Sequence, residues 1–272
     1  MAEERLQCSW CNAQNATSAT SCSTCGAPLD VADVVTESGW RSAPRVRDAT
    51  SFGFSQSTCE LEGEIVPAIT INLAAGDSLF FEHHALLWKE ESITLGMLNT
   101  GGGLKRMFGG MPFTIATATG PGHIAFSRDS AGELVVLPIG PEHEIDVREH
   151  AFLVGSHSLN YSFERIKGLA NALHGGSGMY LERFTSANEP GLLMLHGSGN
   201  VFQRTLGAGE SIFVEPGAFL YKDSSVSIAT HKEDGVKTGS LGGHMYLGQL
   251  TGPGRVGIQS MYHHHGNSGE GE

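Results

Sequence analysis

The feature that constrains this chain most is a repeat. From about residue 58 the sequence returns to itself at intervals near 66 residues. Ala75-Gly76-Asp77-Ser78-Leu79-Phe80 recurs as Ala208-Gly209-Glu210-Ser211-Ile212-Phe213, 133 positions later, and the middle copy is looser, with Glu142-His143-Glu144-Ile145-Asp146. Ala85-Leu86-Leu87 returns as Ala151-Phe152-Leu153 and Ala218-Phe219-Leu220, at shifts of 66 and 133. Glycine pairs at 109–110, 175–176 and 242–243 keep the same two shifts. Each copy closes on a Pro-Gly turn: Gly120-Pro121-Gly122, Glu189-Pro190-Gly191 and Gly252-Pro253-Gly254. Anchors in one order at nearly constant offsets imply one supersecondary unit used three times.

The unit reads as β. Ile69-Thr70-Ile71-Asn72-Leu73 alternates apolar and polar residues, the mark of a strand with one buried face, and Val226-Ser227-Ile228-Ala229 does so more weakly. Gly-Asp, Gly-Gly and Pro-Gly steps supply turns between short runs. Composition agrees: 37 of 272 residues are glycine, about twice the usual share of roughly 7%. Only Phe163 to Leu173 offers a helical turn or two. The expected fold is therefore all-β, with three antiparallel units packed about a pseudo-threefold axis.

Ahead of the repeat lie Cys8, Cys11, Cys22 and Cys25, spaced C-x2-C-x10-C-x2-C. Each pair presents two thiolates, and together they complete the closed tetrahedral shell of a structural Zn2+ site. Metal would supply most of the folding energy of so short a segment. The expected organisation is a zinc ribbon at 1–28, a linker at 29–54, the triplicated β domain at 55–261 and a disordered tail at 262–272. Within the linker, Val31 to Val35 can form a short strand and Trp40 can dock on a domain.

Two resemblances sharpen this picture. The ribbon is similar to the Ran-binding-protein type of zinc finger in its cysteine spacing and in Asn15. It departs where that family binds its ligands. Leu6 replaces the usual tryptophan, Asn12-Ala13 stands where ubiquitin binders carry Thr-Phe, and residues 16–21 lack the arginines of RNA binders. A small adaptor is the reading that remains. The string from Gly101 to Gly110, with its recurrences and the Pro-Gly turns, resembles the "altered inheritance of mitochondria, protein 24" family, bacterial members included. That resemblance covers about residues 55–260. It implies triplicated β-sandwich units of the tryptophan-attenuation-protein-like kind, assembly into oligomers, a link to inner-membrane organisation in mitochondrial relatives, and no established enzymatic activity.

The remaining motifs are weak. Lys105-Arg106 lacks the Gly-Lys-Ser/Thr of a phosphate-binding loop. Thirteen histidines invite a cupin-like metal enzyme using His83, His84, His143, His150 and His157 near strand ends. Adjacent strand residues point to opposite faces, so the first pair would not line one cavity. His84 and His150 are repeat-equivalent, but the third position is Gly217. His263-His264-His265 offers at most a weak surface ligand. Cys59 is expected as a small buried residue, and Glu60, Glu62 and Glu64 as a solvated strand edge. A net charge of −12 gives no general attraction to nucleic acid or anionic lipid. Without a signal sequence or an apolar run of spanning length, a cytoplasmic location and no direct membrane insertion are expected. The function expected is that of a non-enzymatic binding or scaffold protein, homo-oligomeric, acting through a protein partner the sequence does not identify. A metal-dependent or small-molecule enzyme is the alternative.

Overall fold

The computed structural model describes residues 5–8, 13–24, 26, 29, 34–36, 38–43, 50–98, 115–141, 143–166, 179–186, 188–238 and 243–261. Nearly all of this is antiparallel β. The 3-10 turns His83–Ala85 and Pro216–Ala218 are the helical elements among the described residues.

At the N-terminus β1 (Arg5–Gln7), β2 (Gln14–Ala16) and β3 (Val34–Val35) form a small sheet in the order β2-β1-β3. β4 (Arg41–Ser42), β5 (Ser51–Phe54) and β6 (Ser57–Glu62) follow. Then come β7 (Ala68–Leu73), β8 (Ser78–Glu82), β9 (Leu86–Lys89), β10 (Thr94–Met97), β11 (Ile115–Thr119) and β12 (Gly122–Phe126). The next strands are β13 (Gly132–Ile139), β14 (Glu144–Arg148), β15 (Phe152–Ser156), β16 (Leu159–Ile166), β17 (Met179–Ser186) and β18 (Gly191–Ser198). The last are β19 (Val201–Leu206), β20 (Ser211–Val214), β21 (Phe219–Asp223), β22 (Ser227–Thr238), β23 (Gly243–Thr251) and β24 (Gly254–Gln259).

β12 lies between β7 and β9, β18 between β13 and β15, and β24 between β19 and β21. Likewise β11 lies between β8 and β10, β17 between β14 and β16, and β23 between β20 and β22. Two further pairings join these triplets. β8 with β15 completes a six-stranded sheet, and β14 with β21 completes a seven-stranded one that also takes in β4. β9 and β20 each have one neighbour and end their sheets.

Burial follows the alternation where one face is solvated. In β6 Ser57, Cys59 and Leu61 point inward while Thr58, Glu60 and Glu62 face solvent. Where both faces are covered the alternation disappears, and all five residues of β15 are buried. Phe80, Phe152, Tyr161 and Phe184 form an aromatic cluster in the core, with Phe152 and Phe184 centroids 4.9 Å apart. Each of the three buried phenylalanine rings contributes about 1.5–3 kcal/mol through burial. Across the β14–β21 pairing the buried Asp146 sits opposite Arg183 on one side and Lys222 on the other. It accepts from Arg183 Nε at 2.7 Å and from Lys222 Nζ at 2.7 Å. Burial raises the Asp146 pKa, and the hydrogen bonds from both cations more than offset this, so it lies below the usual range.

Three sequence expectations change. The stretch 29–54 is more than linker: the short strand read within Val31–Val35 is present as β3, paired with β1, Trp40 packs against the apolar cluster around Phe219 as the sequence allowed, and the pairings of β4 with β19 and of β5 with β6 were not foreseen. β6 is flanked by β5 and β7, so its glutamates line a solvent face and not an edge. The helical turn expected over Phe163–Leu173 gives way at its start to strand β16, whose pairing with β17 runs from Leu159 to Ile166 and overrides local propensity, while residues 167–173 lie outside the described residues. The Gly-rich string at 101–110 and the tail with its three histidines lie outside the described residues.

Phe184→Ala opens a cavity among the clustered rings. We expect it to lower unfolding free energy by about 3–5 kcal/mol in urea titrations.

Candidate functional site

A cleft of about 650 Å³ lies where several strand ends meet. The turn after β8 brings His84, and the segment after β12 brings Arg128, Asp129 and Ser130. The β14–β15 connection brings Arg148, Glu149, His150 and Ala151. His196 and Ser198 come from β18 and Gln259 from β24. Backbone bonds fix these pieces: Ser127 N donates to Ala85 O at 2.9 Å and His196 N to Ala151 O at 2.8 Å. His150 has a φ of 68°, an uncommon conformation for a residue with a side chain and one found disproportionately at functional sites.

Charged groups beneath the cleft are tightly arranged. Glu82, 1% exposed, is ion-paired with Arg128 and lies 3.5 Å from His150 Nδ1. Burial raises its pKa, but the hydrogen bond from His150 and the charge of Arg128 hold it below the usual range. Arg128 Nη2 also donates to Phe152 O at 2.9 Å. Glu182 behaves oppositely. It is buried, Tyr161 donates to its Oε1 at 2.8 Å, and its Oε2 has no partner. Burial, reinforced by the charge of Glu82, pushes it up to about 8, so it is a neutral acid at pH 7. Burial and then the Arg128 charge lower His196 to about 4, leaving a neutral imidazole. Burial also raises Glu149 and lowers Arg148. Arg148 donates to the Gly217 carbonyl, and Gln259 Nε2 reaches the same oxygen at 3.1 Å.

The histidines singled out in the sequence scatter. His84 and His150 reach the cleft. His83 is exposed with its ring 3.6 Å from that of His84, and His143 sits in an exposed turn. His157 lines a second cavity of about 250 Å³ with Asp77. Among the described residues no three His, Cys, Asp or Glu side chains gather as for a metal ion. Cys59 is buried, and burial pushes its thiol up to about 12. Of the four N-terminal cysteines, Cys8 and Cys22 are buried, while Cys11 and Cys25 lie outside the described residues. Sequence reading missed His196, Arg128 and Arg148. A signal existed for the first: His196, like Ser127 and Gln259, lies six positions after a Pro-Gly proline.

Most of the chain, cleft included, matches a known family. The model for mitochondrial biogenesis AIM24 covers residues 59–261. The chain belongs to the AIM24 family. A relative, an uncharacterized protein of Streptococcus pyogenes serotype M6, is 25% identical over 207 residues, which span 72% of this chain and 82% of that protein. The crystal structure of a Streptococcus pyogenes protein superposes with a TM-score of 0.58 at 19% identity, covering 76% of this chain and 94% of the other. That likeness establishes the AIM24 body as a fold already seen in bacteria. No helix among the described residues of this AIM24 protein is long and apolar enough to cross a membrane.

The raised Glu182 has a direct consequence for stability. Between its unfolded value of 4.5 and its folded value of about 8, the folded state holds a proton that the unfolded state lacks. This group therefore makes stability fall as pH rises through that window. Glu182→Gln keeps the side chain neutral and removes the titration. Urea melts at about pH 5 and about pH 8 should show a shallower fall for the variant.

Proposed function

We propose that this AIM24 protein is a non-enzymatic binding or scaffold protein that assembles with copies of itself. Its body is read as three equivalent units, β7–β12, β13–β18 and β19–β24. Support comes from the identical pairing scheme inside each set: the last strand between the first and third, the fifth between the second and fourth.

The observation that carries the proposal is an open seam. The second strand of one unit pairs with the third strand of the next at β8–β15 and β14–β21. The remaining pair, β20 and β9, is not joined. At the joined seams Leu153, Val154, Leu220 and Tyr221 are 0% exposed, whereas the matching Leu87 and Trp88 of β9 are 56% and 47% exposed. Phe80 and Asp146 are 2% and 1% exposed, and their counterpart Phe213 on β20 is 49% exposed. Large apolar side chains on an unpaired edge are a liability that natural sheets cover. A second copy supplies both missing edges.

The N-terminal residues are read as a zinc ribbon held by Cys8, Cys11, Cys22 and Cys25, serving as an adaptor for a protein partner. In its favour, Cys22 Sγ accepts from Thr24 N at 3.4 Å and from Asn15 Nδ2 at 3.6 Å. Such donors stabilise a thiolate ligand. In this reading the protein works in the cytoplasm, binds no nucleic acid, and reaches any membrane through its partner. The cleft then serves recognition and not turnover: Glu82 is committed to Arg128, and Glu182 is held neutral below it.

Sedimentation velocity on the full chain tests the assembly. A species at least twice the 28.8 kDa protomer is expected, falling to the protomer for the Trp88→Glu, Phe213→Glu double variant with its circular dichroism retained. A wild-type monomer at micromolar concentration overturns it. Elemental mass spectrometry should find about one zinc per chain, lost in Cys22→Ser; a zinc-free wild type removes the ribbon.

A further inference from the structure

The cleft carries more donors than its walls can satisfy. Its volume of about 650 Å³ falls within the roughly 300–1,000 Å³ typical of small-molecule sites. Ala151 is the one apolar side chain among its described lining residues, so the occupant is polar. A guanidinium has five N–H donors. That of Arg148 donates from Nη1 to the Gly217 carbonyl, and among the described residues no carboxylate forms an ion pair with it. Glu149 and Glu215 act on its charge from farther off. Arg128 spends Nη2 on Glu82 and Phe152 O, while its buried Nε has no acceptor.

The neutral groups fit the same picture. Gln259 is committed at both ends, its Oε1 accepting from Ser198 N and its Nε2 donating to Gly217 O. His196 is 4% exposed and neutral, and it is hydrogen-bonded to the Ser130 backbone. Of the acids nearby, Glu82 is taken by Arg128 and His150. Glu149 alone faces Arg148 from within the cleft lining besides the exposed Asp129. A cation partly withdrawn from water, with most of its fork unmatched, is stabilised by an acceptor-rich anion that it grips in bidentate fashion.

We propose that this cleft binds a small organic oxyanion, a carboxylate or a phosphate ester, with Arg148 as its anchor. The site stands on the lining of one protomer and does not depend on whether the open seam is covered.

Calorimetric titration of the full chain with citrate and with glucose 6-phosphate, at matched ionic strength, tests the proposal. Saturable binding of at least one, at one site per chain, is expected. Citrate alone assigns a carboxylate site, and glucose 6-phosphate alone a phosphate site. Arg148→Gln should weaken binding by about tenfold or more. Arg148→Lys, which keeps the charge and removes the fork, should also weaken it by about tenfold. Circular dichroism confirms that each variant is folded, and the lysine variant decides the matter if the glutamine variant is not. Absence of binding by either compound at millimolar concentration, or wild-type affinity in a folded Arg148 variant, overturns it.

Discussion

Strand pairing between segments distant in sequence is the constraint on which the body rests. β8 meets β15 and β14 meets β21, and each meeting converts two triplets of strands into one continuous sheet. The second is pinned by Asp146, which bridges Arg183 and Lys222 across three adjacent strands. A buried charge is tolerated because both neighbours compensate it, and the same arrangement allows only one register. Phe80 does the corresponding job at the first meeting, packing on Gly155 and into the rings of Phe152 and Phe184. The two meetings are thus locked once by charge and once by aromatic packing.

The cleft inherits its shape from these pairings. The connection from β14 to β15 begins at Arg148 on one joined sheet and ends at Phe152 on the other. Arg148, Glu149 and His150 are carried on it, and Glu82 and Arg128 reach it from neighbouring strands. Burial there separates three acids by environment alone. Glu82 stays ionised beside Arg128, Asp146 stays ionised between two cations, and Glu182, with only a tyrosine hydroxyl, is protonated at neutral pH.

Much of the fold was legible from periodicity. The strand at Ile69–Leu73, the Pro-Gly turns and the all-β class follow from alternation and turn chemistry, which are local. The site was legible only in part. His84 and His150 were visible as strand-end histidines, but Arg128 and Arg148 look like ordinary surface cations until sheet pairing withdraws them from solvent. Glu182 has no sequence mark at all, because its shift is caused by residues up to a hundred positions away, such as Glu82. The linker expectation failed for a related reason: two-residue strands such as β4 have no periodicity to detect and exist only because β19 offers an edge.

That short strand has a mechanical meaning. Arg41–Ser42 is fastened to the seven-stranded sheet, and Ser51–Phe54, nine residues further on, is fastened through β6 to the five-stranded one. A chain of that length reaches no more than about 30 Å when taut. The seven-stranded and five-stranded sheets are therefore leashed to each other by the incoming polypeptide. Any parting of those two sheets is bounded by the length of that tether, so a segment outside the sheets doubles as a limit stop.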